Sequence, residues 1–179
     1  MKKILGITNI LLLAFLVSVA GCSSNQGQST SENSSQPVST ETPVSYEISS
    51  SHFVKNTYKG ETNPSYLLIR SYSSFESLFG VAMTMNTDKS KLITAEKMKD
   101  KFVFSIIYQG NDIHEFGIEK IVLKNSQLRV HYTSQVTQRN VSWTGNFHIT
   151  LLVQNCNFTS ILLFENGKPL NDAKIKGYD

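Results

Sequence analysis

Cysteine is nearly missing. Cys22 and Cys156 are the two thiols among 179 residues, too few for the disulfide framework of a small secreted scaffold. No Cys-x-x-Cys, His-Glu-x-x-His or Gly-x-Ser-x-Gly occurs. The zinc-ribbon, zinc-protease and serine-hydrolase signatures are therefore excluded. The ten glycines never stand in Gly-x-Gly spacing, which removes the dinucleotide loop. Tryptophan occurs once, at Trp143, and histidine four times. No uninterrupted apolar run reaches the ~18 residues of a good membrane span. Neither sign of charge dominates, with 17 basic against 14 acidic side chains.

What is present begins at the N-terminus. Lys2 and Lys3 precede an apolar stretch from Ile4 to Val19, broken by Gly6, Thr8 and Asn9. Small residues Ala20 and Gly21 follow, then Cys22. A positive start, a short apolar core and small residues make a secretory signal. Val19-Ala20-Gly21-Cys22 resembles the lipobox of bacterial lipoproteins. That resemblance implies cleavage before Cys22 and a lipid on its sulfur, hence a membrane partner through the N-terminal lipid and an extracytoplasmic, cell-envelope address. Cys156 is then left without an intramolecular partner. It has no Lys, Arg or His beside it in sequence to activate it, so a structural thiol is expected. Lys2 and Lys3 leave with the signal, and the remaining chain is close to neutral. No nucleic-acid surface is expected from that balance.

Three segments are predicted: a signal at 1–21, a tether at 22–45 and a folded domain at 46–179. The tether is Ser, Thr, Gln, Asn, Glu and Pro, with almost nothing apolar to offset the entropy of ordering it. As a flexible coil it spans about 25–30 Å, and about 75 Å when stretched.

Within the domain, period-2 alternation and turn residues predict about seven strands in one antiparallel β domain, mainly β and of α+β class, with one short helix packed against it. The helix covers 73–80, with Ser73 and Glu76 at capping-box spacing, Phe75, Leu78 and Phe79 on one face, and Gly80 as its stop. Phe102-Val103-Phe104-Ser105-Ile106-Ile107-Tyr108 is apolar on both faces, as a central strand is. Leu128, Val130 and Tyr132 alternate with Arg129, His131 and Thr133. Asn166-Gly167 between an apolar run and Pro169-Leu170 marks a hairpin.

Ser73-Ser74-Phe75-Glu76-Ser77-Leu78-Phe79-Gly80-Val81-Ala82-Met83 resembles the opening of a family of secreted bacterial proteins, mostly lipoproteins. The layout of residues 65–165 is similar to the C-terminal domain of PrcB, a lipoprotein that supports a surface protease complex. PrcB-like domains carry a Gly-Gly-Tyr turn where this chain has Asp112-Ile113-His114-Glu115-Phe116-Gly117. The resemblance implies a protein-interaction or protease-accessory module with an extracytoplasmic protein partner.

The residues themselves offer few candidates for chemistry. His131 and His148 lie on the polar phase of their strands and would approach each other if those strands paired. Spacing fixes no third ligand, so exposed strand histidines are expected and no metal or other cofactor is. Asp112, His114 and Glu115 form the densest titratable cluster, but in a turn, where charge is common. The lysines 89, 91, 97, 99 and 101 alternate with Asp88, Glu96 and Asp100 and read as a solvated face. Trp143, with Tyr132 and Phe147 around the loop at 134–146, is the candidate anchor for a partner or a glycan. The expectation is a monomeric, non-enzymatic binding module held by Cys22. Trp143, Tyr132, His131 and His148 are its candidate contacts, and a small-molecule or polysaccharide binder is the alternative to a protein-interaction module.

Overall fold

The strand from Lys101 to Gly110 decides the architecture. Phe102, Phe104 and Ile106 point one way and Val103 and Ile107 the other, none more than 1% exposed. Such a strand needs cover on both faces. In the computed structural model, which describes residues 40–82 and 88–179, it lies in the middle of a five-stranded sheet. A second sheet covers one face; a helix and a two-stranded ribbon cover the other. The signal segment, Cys22, the tether up to residue 39, Met83 and Met85 lie outside the described residues.

Twelve strands occur among the described residues. They are β1 (Thr42–Pro43), β2 (Tyr46–Ser49), β3 (His52–Val54), β4 (Ser65–Ile69), β5 (Phe79–Val81), β6 (Lys101–Gly110), β7 (Ile113–Lys124), β8 (Gln127–Gln138), β9 (Gly145–Gln154), β10 (Ser160–Glu165), β11 (Lys168–Leu170) and β12 (Ile175–Tyr178). The central sheet runs β12-β4-β6-β9-β2, the outer sheet β1-β7-β8-β10-β11, and β3 pairs with β5. The mainly β, α+β class is as the alternation predicts. Two pairs are parallel, β4 with β12 and β8 with β10, so the sheets are not wholly antiparallel. The chain switches sheets repeatedly, and each return can lay a strand in either direction.

Between the sheets lies the main core. Tyr66, Phe102, Phe104, Ile106, Leu151 and Val153 face Ile121, Leu128, Val130, Tyr132 and Leu163. Each fully buried large side chain here contributes about 1.5–3 kcal/mol. The hydroxyls of Tyr66 and Tyr132 meet at 3.0 Å and link the two sheets. On the far face of the central sheet, Leu67, Ile69, Val103 and Ile107 pack against Phe75, Phe79, Ile93 and Met98. A Ser–Thr pair buried in the central sheet is satisfied. Thr150 lies opposite Ser105 with its hydroxyl 3.0 Å away, and Ser105 donates to the Ile149 carbonyl at 3.1 Å.

The helix, α1 (Tyr72–Leu78), starts earlier than the capping-box spacing suggests. Ser71 is the N-cap, and its side chain accepts from the Ser74 N–H. Gly80 does not stop the helix: Phe79 ends it with extended backbone and opens β5, where Gly80 sits beneath the Phe53 ring. The predicted tight turn forms: Asn166 and Gly167, with φ of 49° and 77°, close β10 on β11. A second one, at Asn125 and Ser126 with φ of 50° and 57°, closes β7 on β8. These left-handed pairs match the right-handed twist of the strands they join.

Residues 40–45, assigned to the tether by composition, are part of the structured domain. β1 pairs with β7, and the Val44 N–H donates to the Ile121 carbonyl at 2.9 Å. Glu41 lies 3.1 Å from Lys120, 3.6 Å from Lys124 and 3.7 Å from Arg129, and Lys120 first, then Lys124, holds its carboxyl below the usual range.

Candidate functional site

The end of the sandwich is built by two chain crossings. β6 passes to β7 through Asn111 and Asp112, and β8 returns to β9 through residues 139–144. The crossings are tied together: the Val141 N–H donates to the Asn111 carbonyl at 2.8 Å, and the Asn140 N–H to Asp112 Oδ1 at 2.8 Å. This fixes the backbone just before Trp143. Trp143 is 53% exposed and packs on Phe147 at 5.7 Å between ring centroids. Phe147 lies opposite Tyr108 in the β6–β9 ladder, Tyr108 stacks 3.7 Å from His114, and His114 lies 6.0 Å from Phe116. Five half-buried or exposed rings thus line one end of the molecule.

Two glycines make room for them. Gly110 and Gly145 face each other at the last rung of the ladder. A Cβ on Gly145 would fall 2.5 Å from the Trp143 ring, and one on Gly110 would fall 2.6 Å from the Tyr108 ring. The rings lie where those side chains would otherwise stand.

The opposite face of the same strand end is lined by amides. Gln109 Nε2 donates to Asn146 Oδ1 at 2.9 Å, Gln109 Oε1 accepts from the Gly60 N–H at 2.9 Å, and Asn63 brackets the Gln109 backbone through N–H and C=O. A pocket of about 190 Å³ opens there between Asn56, Lys59, Thr144 and Asn146. A second, of about 420 Å³, lies across Tyr58 and is flanked by the Glu61–Lys176 ion pair at 2.5 Å. An exposed indole on a fixed backbone suits a ligand with one apolar face.

The four residues singled out from sequence are not brought together. Trp143 is at the surface as expected. Tyr132 is fully buried, its hydroxyl committed to Tyr66 and its pKa pushed up by burial, so it offers nothing to a ligand. β8 and β9 belong to different sheets, so His131 and His148 share no ladder. His131 stacks on Phe164 on the outer sheet, with ring centroids 4.2 Å apart. His148 lies beneath the β3–β5 ribbon, where its Nε2 donates to the His52 carbonyl at 3.2 Å. Burial lowers the pKa of both. Asp112, His114 and Glu115 also separate: Asp112 caps Asn140, while His114 belongs to the ring stack. Cys156 is half-buried among apolar side chains, which raises its pKa and fits a structural thiol.

His52 escaped sequence reasoning. It is 5% exposed, with its Nδ1 2.8 Å from Ser49 Oγ. Ser49 donates its own proton to the Lys91 carbonyl at 3.0 Å, so His52 carries its proton on Nδ1. Nε2 is then a buried acceptor without a partner, and burial lowers the pKa. This Ser–His contact fastens β2 to β3; its hydroxyl is engaged and both side chains are buried, so it is no nucleophile. Gln109 was also missed. The signal for the site was the alternation Trp143-Thr144-Gly145-Asn146-Phe147, which puts the indole, the bare glycine and the phenyl ring on one face.

Among the described residues no group of three or more His, Cys, Asp or Glu is placed to hold a metal ion, and no helix is long and apolar enough to cross a membrane. No family model matches the chain, and neither does any curated protein or solved structure.

Proposed function

We propose that the protein is a non-catalytic binding module, tethered to an envelope lipid through Cys22, that takes a cell-envelope oligosaccharide at its Trp143 end. The carrying observation is the indole itself: 53% exposed, packed on Phe147 and seated over Gly145. A sugar ring presents an apolar C–H face to such a surface. Pre-organised groups lose little entropy on binding, which raises affinity without enlarging the interface.

Trp143 is the one tryptophan in the chain, so its emission reports the site directly. Titration of the full chain in detergent with chitohexaose and cellohexaose is expected to shift and saturate that emission, with the response lost in Trp143→Phe when tyrosine emission and calorimetry are followed instead. Unchanged emission and no heat with either sugar would remove the oligosaccharide reading. The anchor has its own test. Cys22→Ser is expected to release the protein from membranes after a high-salt wash, because each buried acyl methylene contributes about 0.8 kcal/mol; retention would refute it.

The second reading is the protein-interaction or protease-accessory module implied by the PrcB resemblance. One observation favours it, the open edge of β2.

A further inference from the structure

The two large sheets end in four edge strands, and three are blunted. β1 contains Pro43, β11 contains Lys168 and Pro169, and β12 contains Lys176 and Gly177. Proline and lysine on an edge discourage a second chain from pairing. β2 reads Tyr46-Glu47-Ile48-Ser49, without either, and Ile48 is 46% exposed.

The register of β2 on β9 shows which backbone groups face outward. Tyr46 lies opposite Val153 and Ile48 opposite Leu151. The Gln154 N–H donates to the Ser45 carbonyl at 3.0 Å, so that rung is a hydrogen-bonded one. Bonded rungs alternate in an antiparallel ladder, which places Glu47 and Ser49 in bonded rungs and turns the N–H and C=O of Tyr46 and Ile48 away from β9. No partner for those groups is found among the described residues.

A trench of about 540 Å³ runs beside this edge. β2 forms one wall and residues 90–97 the other, with Ile93 and Leu152 supplying apolar surface and Lys91 and Lys97 supplying charge. Its one carboxylate, Glu47, is already shared by Lys97 at 3.7 Å and Lys101 at 2.5 Å, and Lys91 has no ion pair within 4.0 Å among the described residues. The trench is therefore net basic.

We propose that the β2 edge accepts an extended, acidic segment of a partner polypeptide, which adds as a sixth strand to the central sheet. Its backbone meets the outward groups of Tyr46 and Ile48, and its carboxylates meet Lys91 and Lys97. Strand addition draws affinity from main-chain hydrogen bonds and specificity from alternate side chains.

The probe is a displayed library of random ten-residue peptides selected on the full chain. The proposal expects enriched peptides rich in Asp and Glu at alternate positions. With the best of them bound, amide exchange at Tyr46 and Ile48 slows at least about tenfold. Ile48→Pro removes one outward N–H while leaving the β9 ladder intact, and is expected to abolish binding. Ile48→Lys, a second route should proline disturb the strand, is expected to do the same, and Lys91→Ala to weaken binding several-fold. Three results overturn the proposal: no enrichment, enriched peptides that protect amides elsewhere, or protection of Tyr46 and Ile48 that grows with protein concentration alone, which assigns the edge to a second copy. The sugar reading is not at stake in this assay, because it is read from Trp143.

Discussion

Removing one hydroxyl from the Tyr66–Tyr132 pair tests how the two sheets face each other. The oxygens are 3.0 Å apart, both rings are buried, and neither hydroxyl has another partner among the described residues. Tyr132→Phe leaves the Tyr66 hydroxyl in an apolar core with nothing to bond. An unsatisfied buried hydroxyl costs about 1–3 kcal/mol. Tyr66→Phe leaves the Tyr132 hydroxyl in the same position and falls in the same range. Replacing both removes the pair together with its desolvation, so the double variant is expected close to the better single one. The cycle then gives a coupling of about 1–3 kcal/mol. Urea unfolding followed by far-ultraviolet circular dichroism measures all four proteins, and each lost kcal/mol lowers Tm by about 2–4 °C for a domain of this size. Single effects that simply add would mean that the hydroxyls do not meet, and the packing of β4 over β8 would be wrong.

Other consequences follow from the same geometry. His52, His131 and His148 have folded pKa values below the ordinary 6.5, with burial as the first cause in each. Below pH 6.5 the unfolded chain takes up protons that the folded one refuses, so stability is full above neutrality and falls with acidification by at most about 1.4 kcal/mol per pH unit per histidine. The carboxylates with lowered pKa act below 4.5, a lower window. Equal urea midpoints at pH 7.5 and pH 5.0 would contradict the buried-neutral assignment. Gly145→Ala is expected to displace the Trp143 ring, since the new Cβ would sit 2.5 Å from it. The change should appear as shifted emission with a stability loss under about 1 kcal/mol, the indole lying at the surface. Unaltered emission would place the ring elsewhere. Ser126 holds a φ of 57° without being glycine; Ser126→Gly is expected to raise stability by about 0.5–1 kcal/mol, and a loss in thermal unfolding would argue against the tight turn.

Much of the fold was legible because strand periodicity reports faces directly. Apolar residues in both phases of 102–108 required a central strand, and Asn166-Gly167 required a two-residue hairpin. Periodicity does not report which sheet a strand joins. Nothing in residues 128–154 says that the chain leaves the outer sheet after Gln138 and re-enters the central one at Gly145, so the idea that His131 and His148 might meet had no physical support. Tyr132 teaches the same lesson from the other side. Its phase with Leu128 and Val130 already placed it in the core, and the core is where it lies. His52 was hidden by its polar neighbours, Ser49, Ser50 and Ser51, which read as a loop although Ser49 and Ser51 are buried. The pairing of β1 with β7 brings Glu41 against cations about 80 residues away, Lys120 among them, and local composition carries no trace of that contact.

The central claim concerns the Trp143 end, and its most direct measurement is the emission of that single indole while the full chain is titrated with chitohexaose. A saturable shift, reduced at least about tenfold in affinity by Gly145→Ala, whose Cβ would fall 2.5 Å from the Trp143 ring, with the fold intact, is the predicted result. No shift with chitohexaose or with cellohexaose, in a chain whose circular dichroism is that of a folded β protein, would contradict the account and leave the β2 edge as the remaining candidate surface.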